Sequence, residues 1–265
     1  MSGSKGEGRA VLVTGAGRRI GRHIAQGLAA DGWHVAVHFR SSEAEAEAVA
    51  RGIRDAGGQA ATVQADLADA DSCRALVGRA ADALGRPLSA LVNNASAFRA
   101  DSADGLSEDG LAAWALNMDV NLRAPLLLSE QFARQVPVGV PGGACIVHLI
   151  DQRVLKPNPL YFSYTLSKAA LHWAVKTQAQ DFAPRGIRVV GVGPGPTLEN
   201  VDQAPGEFDA EAAATLLGHG SPPAQIVAAV RYLLGATSVT GQMIAVDSGQ
   251  HLTWQTPDLL VGEAG

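Results

Sequence analysis

Read for hydrophobic and polar positions, the chain alternates between two textures. Short runs that are apolar at most positions fall at Ala10–Thr14, His34–Phe39, Ala60–Ala65, Leu88–Asn93, Ala144–Ile150, Ile187–Val192 and Gln242–Val246. Runs of this length without polar alternation mark strands covered on both faces, as in a parallel sheet. Between them lie longer stretches with helical spacing: Ile20–Ala30, Glu43–Ala56, Asp71–Leu84, Ser107–Asn117, Leu122–Gln135, Tyr161–Ala183 and Pro222–Leu234. Repeated strand–helix–strand units predict an α/β fold: a single-domain, Rossmann-type, doubly wound sheet of about seven parallel strands with helices on both faces. No linker interrupts the pattern, so residues 9–265 are expected to form one domain behind a polar, flexible leader at residues 1–8. Thr197–Gly220 is the least regular stretch and reads as a lid or a surface excursion.

Composition narrows the classes. The 265 residues carry a formal net charge of −5, with arginines scattered along the chain. That balance lacks the basic patch a nucleic-acid surface needs. No apolar stretch reaches the ~18 residues of a membrane span, and the start has no apolar signal core. Cys73 and Cys145 are the only cysteines, too few for a disulfide scaffold or a thiolate metal site. The expectation is a cytoplasmic protein that takes a small-molecule substrate, with no metal, nucleic acid or membrane partner.

Chemistry enters at the first strand–helix join. Thr14-Gly-Ala-Gly-Arg-Arg-Ile-Gly21 follows one predicted strand and opens a predicted helix, the context that separates a phosphate-binding turn from a chance glycine cluster. Gly15 permits a tight turn, Gly21 lets the helix approach the sheet, and the helix start offers N–H groups and a positive dipole end to a pyrophosphate. An NAD enzyme usually carries an acid about 20 residues on, at the end of the second strand. Here that strand ends His38-Phe39-Arg40-Ser41-Ser42. Arg40, with Arg18 or Arg19 from the turn, can instead neutralise a 2′-phosphate, unless these arginines are simply solvated. The pattern favours NADPH. Asp66 is placed to accept an adenine amine or to serve as a turn residue. Asn93 and Asn94 can tie neighbouring loops together.

Tyr164 and Lys168 stand four apart in a helical pattern and so share a face. A lysine ammonium beside a phenol favours the phenolate and lowers its pKa from about 10, which makes Tyr164 a usable proton donor or acceptor.

Together these residues resemble the short-chain dehydrogenase/reductase family from about Arg9 to Gly249. The marks are the glycine turn, Asp66-Leu67, Asn93-Asn94-Ala95-Ser96, Asn121 in V-N-L-R-A-P, Tyr164 with Lys168, and Pro194-Gly195 after the sixth strand. The resemblance implies Tyr164 as the acid, Lys168 on the nicotinamide ribose, and Asn121 holding a water that relays protons to Lys168. It also implies cofactor contacts from Ile20, His38, Ser41, Leu67, Asn94, Ala95, Ser96, Pro194 and Gly195. It further implies a homotetramer, with the tail Gln250–Gly265 and its Trp254 at a subunit contact.

Three positions depart from the common family pattern. Arg19 replaces a glycine, Ser96 replaces a glycine, and Asp151 replaces the serine thirteen residues before the tyrosine. A carboxylate there would repel a developing alkoxide. It suits a substrate whose reacting atom is a ring nitrogen needing a proton, with burial raising its pKa. All three departures resemble the pteridine reductase branch, as do His38-Phe-Arg40-Ser41 and Asn94-Ala95-Ser96-Ala97-Phe98. That likeness implies Phe98 stacked on a flat pterin against the nicotinamide, and Ser96 bonded to the pterin edge. Taken alone, Phe98 also fits a loop aromatic packed on the core, and Asp151 a carboxylate paired with Arg153 or capping a turn. The leading expectation is an NADPH-dependent reductase of a pterin, with Asp151, Tyr164 and Lys168 at its centre. A carbonyl or 3-oxoacyl reductase of the same family is the alternative, and a non-catalytic NADPH-binding protein a third reading.

Overall fold

The structure is a computed structural model and describes residues 8–104, 108–137, 139–140, 143–199 and 204–253. The expected leader, apart from Gly8, and the tail from Trp254 onward lie outside the described residues. Seven parallel strands form one sheet: β1 (Ala10–Val13), β2 (His34–Phe39), β3 (Gln59–Gln64), β4 (Ala90–Asn93), β5 (Ala144–Leu149), β6 (Ile187–Pro194) and β7 (Met243–Val246). Their order is β3-β2-β1-β4-β5-β6-β7, the doubly wound arrangement read from the sequence. Among the described residues no helix is long and apolar enough to cross a membrane.

The strands inside the sheet are apolar at most positions because both faces are covered, whereas the edge strand β3, QAATVQ, is partly exposed. Val11 and Val13 of β1 point to one core, with Ile24 and Leu28 of α1 (Arg19–Ala30), Val49 and Ile53 of α2 (Glu43–Asp55), and Ile226 and Val230 of α8 (Pro223–Gly235). Ala10 and Leu12 point to the other. There they meet Leu76 of α3 (Ala70–Leu84), Leu128 and Phe132 of α5 (Ala124–Gln135), and Leu171 and Val175 of α6 (Phe162–Phe182). Side chains alternate across a strand, so a single apolar run feeds two cores.

Two features were not read from the sequence. The pair of helices expected across residues 107–135 is one continuous rod, in which α4 (Glu108–Met118) passes into α5 through a π-helical turn at Asp119–Arg123. The irregular stretch after β6 contains a short helix, α7 (Glu207–Ala213).

Strand order reverses between β1 and β4, and the loops after these two strands part there, opening a crevice at the carboxyl edge of the sheet. His38, at the carboxyl end of β2, braces this edge. Its Nδ1 accepts the Gly15 N–H (2.9 Å), and its Nε2 lies 3.2 Å from the Ala65 carbonyl. The pairing assigns the proton to Nε2. Burial pushes its pKa down to about 4. The ring is therefore neutral in the fold but charged in the unfolded chain below pH 6.5 or so, and its stabilising contribution is lost as pH falls from there toward 4. We expect urea unfolding to show this ring removing up to about 3 kcal/mol of stability across that window. The His38→Asn variant should be less stable near neutrality and show a correspondingly flatter pH dependence.

Candidate active site

The turn after β1 fits the cradle expected of it. Gly15 has φ +63°, and a Cβ on Gly21 would lie 2.3 Å from the Gly15 carbonyl oxygen and 2.5 Å from Asn94 Nδ2. No side chain fits at Gly21. Thr14 Oγ1 accepts the N–H groups of Asn94 (2.9 Å) and Ala95 (3.0 Å), and Asn94 Nδ2 donates back to the Thr14 carbonyl (2.8 Å). The loops after β1 and β4 are thus fastened across the switch point. At the far side of the crevice, a Cβ on Gly195 would lie 2.7 Å from Asp247 Cα. The resulting cavity is about 780 Å³ and runs from Arg19 and Ile20 past Asn94, Ser96 and Phe98 to Asp151, Tyr164, Lys168, Pro194 and Gly195. Among the described residues no cluster of His, Cys, Asp and Glu is suited to a metal ion.

The three arginines expected at a 2′-phosphate have different surroundings. Arg18 forms an ion pair with Glu45. Arg19, itself at φ +51°, reaches to the carbonyls of Glu199 (2.7 Å) and Leu198 (3.2 Å). Arg40 and Ser41 are exposed just beyond β2. Arg40 is the one of the three whose guanidinium makes no hydrogen bond or ion pair among the described residues. The structure gives His38, expected at the cofactor, a supporting place: both ring nitrogens serve the backbone behind the turn. Leu67 is likewise a core side chain, and any contact from it to a ligand falls to its main chain. Asp66 Oδ1 accepts the Ala68 N–H (2.9 Å), a turn role.

The side chain of Asn121 is held by protein. It sits in the π-helical turn, is fully buried, and fills its hydrogen-bonding capacity with protein. Its Oδ1 accepts from Ser96 Oγ (3.0 Å) and the Ala97 N–H (2.7 Å), and its Nδ2 donates to the Ala97 carbonyl (2.8 Å) and Ser167 Oγ (3.2 Å). Two acceptor sites and two donors are all an amide has. Its side chain therefore holds the Ser96–Ala97 loop against α6, and any contact from this residue to a relay water falls to its main chain. Asn117, one turn earlier, performs a similar task unmarked in the sequence. It bonds the main chain of Arg99 through both amide atoms and donates to Ser163 Oγ (2.8 Å).

Asp151, Tyr164 and Lys168 converge. Tyr164 donates its hydroxyl to Asp151 Oδ2 at 2.6 Å, while Asp151 Oδ1 accepts the Arg153 N–H (2.9 Å). The carboxylate therefore caps the short 3-10 turn Gln152–Val154 and faces the phenol at once. Burial pushes the Asp151 carboxyl above the usual range, although the bond from Tyr164 opposes this. Burial and the neighbouring Asp151 charge push the Tyr164 phenol well above its ordinary value. This corrects the expectation that Lys168 lowers it. The lysine is 2 % exposed, donates to the Leu149 carbonyl (2.9 Å), and meets the phenol through its ring face, 5.7 Å from the centroid. Burial brings its own pKa down to about 8, despite the attraction of Asp151.

One aromatic neighbour was missed. Tyr161, at φ +57° just before α6, stacks on Phe98 with centroids 4.0 Å apart and planes at 19°. Phe98 also meets Tyr164 edge-on at 4.7 Å. Arg153 carries its guanidinium over both rings, 5.4 Å from Tyr161 and 5.9 Å from Phe98. The only sequence signal for Tyr161 was its place three residues before Tyr164. Gln250, assigned from the sequence to the tail, lines the cavity instead.

Comparison with known proteins adds the following. Residues 9–208 match the family model of the short chain dehydrogenases. A crystal structure of FolM alternative dihydrofolate reductase 1 from Brucella canis, complexed with NADP, is 44% identical, covers 95% of this chain and 97% of its own, and superposes with a TM-score of 0.89. A short chain dehydrogenase from Burkholderia cenocepacia in complex with NADP is 35% identical over 92% of this chain and 98% of its own, with a TM-score of 0.83. The 3-oxoacyl-[acyl-carrier-protein] reductase of Staphylococcus aureus is 32% identical over 92% of this chain and 98% of its own.

The three tyrosines, Tyr161, Tyr164 and Tyr232, make the pair testable by ultraviolet titration. Tyr164 should be the last to ionise, and Asp151→Asn should lower its transition by removing the adjacent negative charge. An unchanged transition in that variant would mean the hydrogen bond does not form in solution.

Proposed function

The chain belongs to the short-chain dehydrogenases, and on that premise we propose that it is an NADPH-dependent reductase of a dihydropterin-type substrate, a class that includes dihydrofolate. The carrying observation is the 2.6 Å hydrogen bond between Tyr164 and a carboxyl held above its usual pKa by burial. The FolM likeness supports the same reading.

The cradle fits a dinucleotide on its own geometry. Gly15 and Gly21 leave the turn open to a pyrophosphate, with the start of α1 directed at it. Arg40 and Ser41 would take the 2′-phosphate and Asp66 the adenine. Ile20, Asn94, Pro194 and Gly195 line the cavity and, with Ala95, would meet the dinucleotide on the way to the nicotinamide, whose ribose would lie at Lys168. Bound in this cradle, NADPH would supply a hydride to the carbon of a C=N bond. The nitrogen of that bond takes a proton from the Asp151–Tyr164 pair. Tyr164 alone is a poor donor, because losing its proton leaves a phenolate beside a carboxylate. With Asp151 protonated, the pair starts neutral, and passing on a proton leaves it only singly charged. Phe98 and Tyr161 both line the cavity beside the reacting pair and offer a flat substrate an aromatic wall, and Ser96 a hydroxyl to its edge.

Carbonyl or 3-oxoacyl reduction is the second reading, favoured by the Staphylococcus aureus relative. Asp151 in place of a serine weighs against it, since an alkoxide developing beside that carboxyl in its ionised form would be repelled. We also assign the expected homotetramer to solution, supported by the solvent-facing Trp173 and Leu166 on α6. Light scattering measures that assembly directly.

Following NADPH absorbance with dihydrofolate, a tailless dihydropterin and an acetoacetyl thioester separates the readings. Pterin turnover is expected, and turnover of the thioester alone would sink the proposal. With a pterin, kcat/KM should fall as pH rises through the raised Asp151 pKa, and Asp151→Asn should abolish that limb and most of the rate. Arg40→Ala should raise the KM for NADPH by roughly 10–100-fold while barely changing that for NADH. Equal losses for both cofactors would remove Arg40 from the 2′-phosphate.

A further inference from the structure

The stacked rings of Phe98 and Tyr161 are a wall with a cavity on each side. One side is the reaction cavity already described. On the other lies a second cavity of about 500 Å³, bounded by the same two rings together with Arg99, Ala100, Ala112, Ala113 and Leu116. Resting on the pterin reading, we propose that this second cavity is a subsite for the tail of the substrate, and that the tail it fits is an aryl group ending in a carboxylate.

The walls match that chemistry piece by piece. The shared wall is a pair of near-parallel rings, a surface on which a planar aryl group gains offset stacking. The floor is made by Ala112, Ala113 and Leu116, one face of α4, whose small side chains leave width for a flat group. The rim carries Arg99, exposed and without a hydrogen bond or ion pair for its guanidinium among the described residues. A planar fork of that kind binds a carboxylate through two parallel hydrogen bonds. In a chain of net charge −5, an unpaired cation beside an apolar floor is a feature selective for an anion.

The position is also fixed. The Arg99 main chain is clamped by Asn117, and Asn117 is bonded in turn to Ser163 of α6. Two residues on, Asp101 accepts the N–H groups of Phe162 through its carbonyl (3.3 Å) and of Ser163 through Oδ1 (3.0 Å). The loop bearing Phe98 and Arg99 is thus anchored to the helix that carries Tyr164. Arg153, over the stack from the reaction side, places a second cation where a tail would cross. A pterin with only a short alkyl or hydroxyalkyl substituent would end before the wall. A pterin bearing an aryl amide and a terminal carboxylate would span it.

The test measures affinity without turnover, by quenching of protein fluorescence in the NADP-bound protein. The ligands are folate, which carries an aryl-amide dicarboxylate tail, and 6-methylpterin, which carries none. Wild type should bind folate at least about tenfold more tightly. Arg99→Ala should remove most of that advantage. Ala112→Trp, at an exposed wall position that leaves the core intact, should close the cavity and remove it too. Neither change should alter the affinity for 6-methylpterin. No advantage in wild type, or an advantage unchanged in both variants, overturns the subsite. If the advantage stands and falls with Arg99 while neither dihydropterin is reduced, the subsite survives and the reductase reading fails. If both dihydropterins are reduced and wild type binds the two ligands equally, the reading survives and the subsite fails.

Discussion

Thr14 and Asn94 bond to one another across the point where strand order reverses, and the carboxyl edge of the sheet is placed from that contact. Reversal alone leaves two loops free to diverge. The side-chain–backbone bonds between them, with Gly21 pressed against both Gly15 and Asn94, turn a gap in topology into a groove with fixed walls. From Asn94 the chain runs on through Ser96–Ala97, held by Asn121, and Arg99, held by Asn117. Both asparagines lie on the α4–α5 rod and also bond α6, so the glycine turn and the reacting side chains share one framework.

Within that framework the electrostatics of the centre are collective. Asp151, Tyr164 and Lys168 each pay for burial in the direction expected of their charge: the two acids rise and the base falls. Their mutual contacts decide where the proton rests. Tyr164 and Asp151 share a hydrogen bond, whereas the lysine lies over the ring face and takes the Leu149 carbonyl as its hydrogen-bond partner. The pair, rather than the phenol by itself, is the unit that titrates.

The strand–helix alternation made the fold legible, because each apolar run had to be buried on both faces. Glycine spacing marked the turn, and Asp151 was picked out because its distance from Tyr164 placed it where a serine is usual. What stayed hidden depends on contacts between distant segments. Nothing local to Asn121 shows that both faces of its amide are occupied, and nothing local to Tyr161 shows that it lies flat on Phe98. The direction of the Tyr164 shift was misread for a related reason. Four-residue spacing shows that Lys168 shares its face of the helix, but not that burial, and with it a carboxylate thirteen residues back, raises the hydroxyl's pKa.

Arg19 illustrates the same divide in energetic form. Its left-handed backbone costs on the order of 1–2 kcal/mol that a glycine would avoid. In return its guanidinium secures the carbonyls of Leu198 and Glu199, roughly 180 residues away in the chain. The cost falls on the residue itself and the gain on a distant segment. A substitution to glycine would ease the turn while freeing the far strand exit, so the position is frustrated by its neighbours in sequence and satisfied only by its neighbours in space.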